Sequence, residues 1–216
     1  REVVSFASCS YLGLEHHPDL VRAVHDAVDR FGTQFSASRG YLSAPLYEPL
    51  EEILGELFCG HVLVTASTSV GHSAALPVLI NERDAIVMDH QVHHSVQMAA
   101  TLARAAGATV EVVRPGELDE AEAIVARLAK TKRNVWFACD GVYSMFGDLA
   151  PVRLLERILE VAPNVRLYVD DAHGMSWAGV HGRGSFLSRM PLSERVVLAT
   201  SLNKAFSAGG GCLVFA

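Results

Sequence analysis

Downstream of Gly60 the sequence alternates between short, almost wholly apolar runs and longer stretches with helical periodicity. The apolar runs span residues 61–65, 85–89, 109–113, 134–140, 165–170, 195–200 and 211–215. Helical patterns near residues 69–80, 95–106, 118–130 and 151–161 separate the first five runs. Strands without polar alternation are typical of a parallel sheet that helices cover on both faces. The pattern predicts the α/β class, with three αβα layers around a mostly parallel, seven-stranded sheet.

Two more helices are predicted ahead of the sheet. The first begins at His17-Pro18-Asp19, carries apolar residues at three- and four-residue spacing, and ends at Gly32. The second covers about residues 46–58, and the segment 32–44 between them is rich in Ser, Gly and Thr without a period. We therefore expect residues 1–60 to form an N-terminal helical segment with an active-site loop, and residues 61–216 to form one large domain.

Composition limits the possible partners. The net charge is -6, the pI is about 5.9, and half of the residues are apolar, with no block of basic residues. Nucleic acid and anionic membranes are therefore not expected as partners. No uninterrupted apolar run approaches the roughly 18 residues that a membrane-spanning helix needs.

The cysteines point to a reducing compartment. Cys9, Cys59, Cys139 and Cys212 are widely spaced and form no C-x-x-C pair, which argues against a zinc site and a disulfide framework. The adjacent pair of histidines at 93–94 suggests a metal, but neighbouring side chains point apart and no third ligand is evident. We expect no metal and a cytoplasmic location.

Side chains that can take part in binding or catalysis follow the ends of several predicted strands. They are found at residues 67–69, 93, 140–144, 170–173 and 201–204. Because ligands of parallel sheets gather at the carboxyl ends of the strands, we expect these residues to form one site. A lysine amine can form a Schiff base with an aldehyde cofactor, an ionised aspartate can keep its ring nitrogen protonated, and hydroxyls can hold its phosphate.

Each of these residues also has an ordinary structural interpretation. Asp170 alone would be a turn or cap residue, His173 a core histidine, and Lys204 a solvated surface charge. The segment 67–69 caps a helix in either case. Only their joint occurrence in this order favours a cofactor site.

Five segments and a glycine triplet together resemble the α-oxoamine synthase family of fold-type I pyridoxal-phosphate enzymes. The matching segments are Ser10–Leu14, Asp140–Asp148, Val169–Gly174, Gly179–Gly184, Thr200–Lys204 and Gly209–Gly211. The resemblance covers nearly the whole chain. It implies pyridoxal 5'-phosphate as the cofactor of the domain formed by residues 61–216.

The resemblance also implies roles for single residues. Lys204 falls where the family lysine binds the cofactor covalently, and Asp170 where an aspartate pairs with the pyridinium nitrogen. His173 matches the histidine bonded to the phenolic oxygen, and His93 the histidine that stacks on the pyridine ring. Lys204, His93, Asp170 and His173 are therefore the expected catalytic residues.

Hydroxyl groups complete the implied cofactor site. Thr68 and Ser69 occupy the positions of the family's phosphate loop, and Ser201 stands where the family usually has a phosphate-binding threonine. Ser144 matches another hydroxyl that contacts the cofactor.

The implied activity is condensation of an amino acid with an acyl thioester, with loss of carbon dioxide, to give an α-aminoketone. Acyl-CoA and an acyl carrier protein are both possible acyl donors. The resemblance further implies a homodimer and a C-terminal small domain that this chain lacks, so that the fragment alone would be inactive. Alternatives are another fold-type I activity, such as aminotransferase or aldolase, and a non-catalytic partner subunit, against which the presence of Lys204 argues.

Several positions depart from the family pattern. Cys9 replaces a common Asn, Asp140 a frequent Glu, and Asn203 a Gly before the lysine. Residues 67–69 lack the usual Ser-Gly-aromatic sequence, and the loop 32–44 has lost most of the family's glycines. These changes bear on the amino acid and the acyl donor.

Overall fold

A computed structural model describes residues 3–4, 6–114 and 117–216. Residues 1, 2 and 5 of the predicted N-terminal segment lie outside this part of the chain. The elements in order are α1 (Pro18–Phe31), α2 (Tyr47–Phe58), β1 (His61–Thr65), α3 (Thr68–Leu79), β2 (Ala85–Asp89), α4 (His94–Ala105), β3 (Thr109–Val113), α5 (Leu118–Ala129), β4 (Val135–Asp140), α6 (Val152–Glu160), β5 (Val165–Asp170), a 3-10 turn (Val180–Gly182), β6 (Val196–Ser201) and β7 (Gly211–Phe215).

The strands form one seven-stranded sheet in the order β1-β7-β6-β5-β4-β2-β3. Strands β2 to β6 pair in parallel, whereas β7 lies antiparallel to both β1 and β6. The predicted mostly parallel sheet is confirmed. The register sets Asp140 of β4 opposite Asp170, which in turn lies opposite Ala199 of β6. The ends of these central strands therefore meet at one edge.

Helices cover both faces of the sheet, because neighbouring strand residues point to opposite sides. Phe137 of β4 belongs to an apolar cluster with Ile158 of α6. The adjacent Trp136 belongs to a second cluster with Leu76 of α3 and Ala100 of α4. All six residues of β4 are buried, which explains its continuous apolar sequence. The three predicted αβα layers are confirmed.

The N-terminal helix α1 leaves its apolar side open. None of its residues is buried, and Val24 is 64% exposed. Together with Phe35 and Pro45, the apolar residues of α1 line a separate cavity. The division into residues 1–60 and 61–216 stays a prediction.

The structure also bears on cysteines, metals and membranes. All four cysteines are unpaired. Within the described ranges, no group of three or more His, Cys, Asp and Glu side chains could hold a metal ion. Among the same residues, no helix is long and apolar enough to cross a membrane.

Arg39 fixes the loop 32–44 to the edge of the sheet. Its guanidinium donates to both carboxylate oxygens of Glu51 at 2.6 and 2.7 Å, and to the carbonyl of Val64 at 2.8 Å. Glu51 also accepts from the Val64 amide at 2.6 Å. Loop, α2 and β1 are thus joined by one charge-assisted contact, in which a single guanidinium nitrogen of Arg39 bonds both oxygens of Glu51.

We predict that Arg39→Ala lowers the free energy of unfolding by about 1–2 kcal/mol, because charge-assisted hydrogen bonds are lost. Urea unfolding of the full-length protein measures the change. Arg22→Ala is the matched control, since its ion pair with Asp19 is exposed and should contribute less than about 1 kcal/mol. Equal effects of the two substitutions would contradict the anchoring role of Arg39.

Candidate active site

A cavity lies at the edge where the central strands end. Most of the predicted site residues line it: Thr68, Ser69, His93, Asp170, His173, Ser201 and Lys204. These residues follow β1, β2, β5 and β6, so the sheet register brings them together. Ser144 is not among the lining residues and is exposed in the loop after β4. Its role stays a prediction.

The first turn of α3 forms one wall of the cavity. Ser67 caps the helix by accepting a hydrogen bond from the Val70 amide at 3.2 Å. The hydroxyl of Thr68 donates to the carbonyl of Thr200 at 3.0 Å, which ties the helix to β6. A Cβ on Gly211 would come within 2.5 Å of the Thr68 nitrogen, so only glycine allows β7 to approach this closely. The helix N-terminus that results is suited to binding an anion.

Asp170 is an ionised carboxylate at the end of β5. It is only 5% exposed, its Oδ2 accepts a hydrogen bond from His72 Nε2 at 2.9 Å, and its Oδ1 accepts from the Ala172 amide at 3.0 Å. Burial alone would raise the pKa of Asp170. The hydrogen bond and charge of His72 and the backbone bond outweigh burial, so this pKa lies below its usual value.

Sequence reasoning missed His72. The signal was a single histidine in a helix of mostly small and apolar residues, one turn after Thr68. Residues four apart lie on the same face of a helix, so His72 had to face the same side as the cavity wall.

Asp140 holds His93 in place. Both carboxyl oxygens of Asp140 accept from the backbone amide of His93 at 3.1 Å. Burial, followed by the charge of Asp170, raises the pKa of Asp140 to about 8. Burial and the charge of Lys204 lower the pKa of His93. A neutral imidazole therefore lines the cavity, with its Nδ1 2.6 Å from the hydroxyl of Ser95.

Tyr11 reaches the site from the N-terminal segment. Its hydroxyl lies 2.6 Å from Nδ1 of His173. Burial, then the charge of Lys204, lowers the pKa of His173 to about 4, whereas burial and Cys9 raise the pKa of the Tyr11 phenol. At neutral pH both groups are therefore uncharged, and a phenol that donates to Nδ1 leaves the single ring proton of His173 on Nε2. Sequence reasoning assigned no contact to Tyr11.

Asp171 supports the loop behind the cavity. Its Oδ2 accepts from the amide of Phe186 at 2.8 Å. A Cβ at Gly141, Gly174 or Gly184 would overlap the Asp171 carboxyl. The glycines of three separate motifs thus meet at one buried side chain, which explains why they occur together.

The raised pKa of Asp140 predicts a pH effect on stability. As the pH rises from about 4 to 8, the unfolded carboxyl loses its proton before the folded one, so this residue makes the protein less stable. Asp140→Asn removes that loss, and the free energy of unfolding of the variant should rise relative to wild type across this range. Urea unfolding at a series of pH values measures the difference.

The exposed Asp148 provides the control for this experiment. Asp148→Asn should change stability by a constant amount over the same range. A constant difference for Asp140→Asn as well would contradict the raised pKa of Asp140.

The hydrogen bond from Tyr11 predicts the protonation of His173. We expect the imidazole of His173 to titrate near pH 4 in wild type, and nearer its ordinary value in Tyr11→Phe, because the donor to the neutral ring is lost. Proton NMR of the cofactor-free protein follows the titration, with the exposed His25 as internal control. An unchanged midpoint for His173 would show that Tyr11 does not stabilise the neutral ring.

Known proteins share this fold and sequence. A family model described as aminotransferase class I and II matches residues 1–215. The 8-amino-7-oxononanoate synthase of Dechloromonas aromatica is 34% identical over 213 residues, which cover 96% of this chain and 54% of that protein. The chain spans about half the length of the curated relatives it matches.

Two solved structures are similar in fold. Serine palmitoyltransferase from S. paucimobilis, with bound PLP and myriocin, has a TM-score of 0.86 at 22% identity over 96% of this chain and 52% of its own. The enzyme from Sphingomonas wittichii has a TM-score of 0.86 at 24% identity, covering 96% of this chain and 51% of its own. The chain belongs to the aminotransferase class I and II family, and its resemblance to the α-oxoamine synthases within that family is confirmed.

Proposed function

We propose that the protein is a pyridoxal-phosphate-dependent acyltransferase. It would condense an amino acid with an acyl thioester and release carbon dioxide and a thiol, giving an α-aminoketone. The observation that carries the proposal is the cavity where Lys204, a buried ionised Asp170 and the N-terminus of α3 converge. The names of the curated relatives support the same reaction class.

The residues of the cavity fit pyridoxal phosphate. The first-turn amides of α3 and the hydroxyls of Thr68, Ser69 and Ser201 offer donors for a phosphate group. Asp170 offers a buried negative charge for a protonated ring nitrogen, and Lys204 offers an amine for the aldehyde. Each functional group of the cofactor thus has a partner of matching chemistry in one cavity.

The bound cofactor supplies a ring that delocalises negative charge developing at the α-carbon of an amino acid. Asp170 would hold the proton on the ring nitrogen, because its own pKa is low and it stays anionic. His173 would donate from Nε2 to the phenolic oxygen. His93, whose backbone amide Asp140 binds, would supply a neutral ring to pack against the cofactor.

Lys204 has two tasks in this proposal. Its Nζ binds the cofactor aldehyde in the resting enzyme. The same amine, when free, would be the base that takes a proton from the α-carbon of the amino acid. No other lysine lines the described part of this cavity.

We also propose a homodimer in the cytoplasm. The open apolar side of α1, with Val24 64% exposed, supports burial against another protein surface. The unpaired Cys9 and Cys59, both exposed, support a reducing compartment. Acyl-CoA and an acyl carrier protein are the two proposed acyl donors.

Lys204→Ala tests the proposed reaction in the full-length protein. Wild type supplied with an amino acid and an acyl thioester should release thiol and carbon dioxide, and the variant should be slower by more than about 1,000-fold, because the covalent anchor and the base are both lost. Lys130→Ala is the control. This lysine is exposed, and the variant should keep full activity.

The products separate the proposal from the alternatives. An aminotransferase would convert the amino acid to a keto acid without releasing thiol. Thiol release by Lys204→Ala at the wild-type rate would contradict the role of Lys204. Absence of every reaction in wild type that binds the cofactor would contradict the proposed activity.

A further inference from the structure

A buried chain of hydrogen bonds lies behind the cavity. His72 Nδ1 is 2.8 Å from the hydroxyl of Tyr168, and His72 Nε2 is 2.9 Å from Oδ2 of Asp170. His72 and Tyr168 are fully buried, with 0% exposure. Neither of them lines the cavity. They can act on a ligand only through Asp170.

We infer that His72 is a positioning residue that, by donating a hydrogen bond from Nε2, keeps Asp170 anionic and oriented toward the cofactor ring. The inference rests on the proposed function, since it assigns the carboxylate that would hold the ring nitrogen. It assigns a role to a residue that would not contact the cofactor directly.

The ionised carboxylate of Asp170 fixes the position of one proton on His72. An ionised carboxylate only accepts, so Nε2 of His72 must carry a proton. Burial and the charge of Asp170 raise the pKa of Tyr168, so its phenol is protonated and can donate to Nδ1. The opposite tautomer would set the Nε2 lone pair against the carboxylate oxygen and leave a buried anion without its donor.

Asp170 is the anionic group that the cavity would present to a protonated ring nitrogen. The other ionisable groups nearby are Asp140, which is largely protonated at neutral pH, His93 and Lys204.

The fold holds the three residues of this hydrogen-bond chain in place. Tyr168 and Asp170 are two residues apart on β5 and therefore face the same side of the sheet. His72 lies on α3, whose first turn carries Thr68 and Ser69 on the cavity wall. The same helix thus offers a phosphate site at its N-terminus and orients the partner of the ring nitrogen one turn later.

The first test needs no cofactor. Nitrogen-15 NMR of the full-length protein with labelled histidine should show His72 with a protonated Nε2, and His72→Gln assigns the signals. Tyr168→Phe should keep this proton on Nε2, because Asp170 still requires a donor. An unprotonated Nε2 would overturn the inference whatever the enzyme's activity.

The second test measures the affinity for pyridoxal phosphate. His72→Leu removes the donor to a buried charge and should weaken binding by about 10- to 100-fold. His72→Gln can place an amide N–H near the position of Nε2 and should stay within about threefold of wild type, well under the tenfold that about 1.4 kcal/mol represents. Circular dichroism verifies the fold of each variant.

The outcomes separate the role of His72 from the proposed function. Wild type that folds but binds no pyridoxal phosphate would overturn the proposed function, and the NMR result would still decide the state of His72. Wild-type affinity in His72→Leu would overturn the positioning role while leaving the proposed function intact. If His72→Leu does not fold, an unprotonated Nε2 of His72 in wild type would still overturn the inference.

Discussion

A buried carboxylate must be paired, because an isolated charge costs several kcal/mol to remove from water. Asp170 meets this requirement at the end of β5 through His72 and the Ala172 amide. The pairing fixes α3 against the sheet on the side where its N-terminus opens into the cavity. Two contacts therefore set the position of the N-terminus of α3 relative to the carboxylate of Asp170. One is the hydrogen bond between His72 and Asp170, and the other is the close approach of Gly211 to Thr68.

The sheet register places a second carboxyl group beside Asp170. Asp140 and Asp170 lie opposite each other on β4 and β5. Two neighbouring buried carboxyls do not both ionise readily, and the structure resolves the conflict by giving them different partners. Asp170 has a histidine and stays anionic, whereas Asp140 has only the His93 amide and a pKa of about 8. One carboxyl thus provides charge, and the other positions an aromatic ring.

The sequence alone predicted most of the fold, because the central strands are buried on both faces and therefore read as continuous apolar runs. Two strands differ from their predicted bounds by one residue. Strand β4 begins at Val135, since Asn134 is bound to Asp84 through its amide and side chain, and β6 covers Val196–Ser201. The antiparallel direction of β7 carried no signal, because an apolar run looks the same in either direction.

The site was predictable where its residues follow strand ends, as with Asp170, His173 and Lys204. It was not predictable where a role depends on a partner distant in sequence. His72 meets Tyr168 across 96 residues, and Tyr11 meets His173 across 162. Ser144 shows the opposite limit, since its motif position suggested a contact with the cofactor but its side chain lies outside the cavity.

The most direct test of the account is borohydride reduction of the full-length protein after incubation with pyridoxal phosphate, followed by peptide mapping. The account predicts a single pyridoxyl adduct, on Lys204, and loss of the visible absorbance of the unreduced protein. An adduct on another lysine, or none in a folded protein supplied with the cofactor, would contradict the assignment of this cavity as the cofactor site.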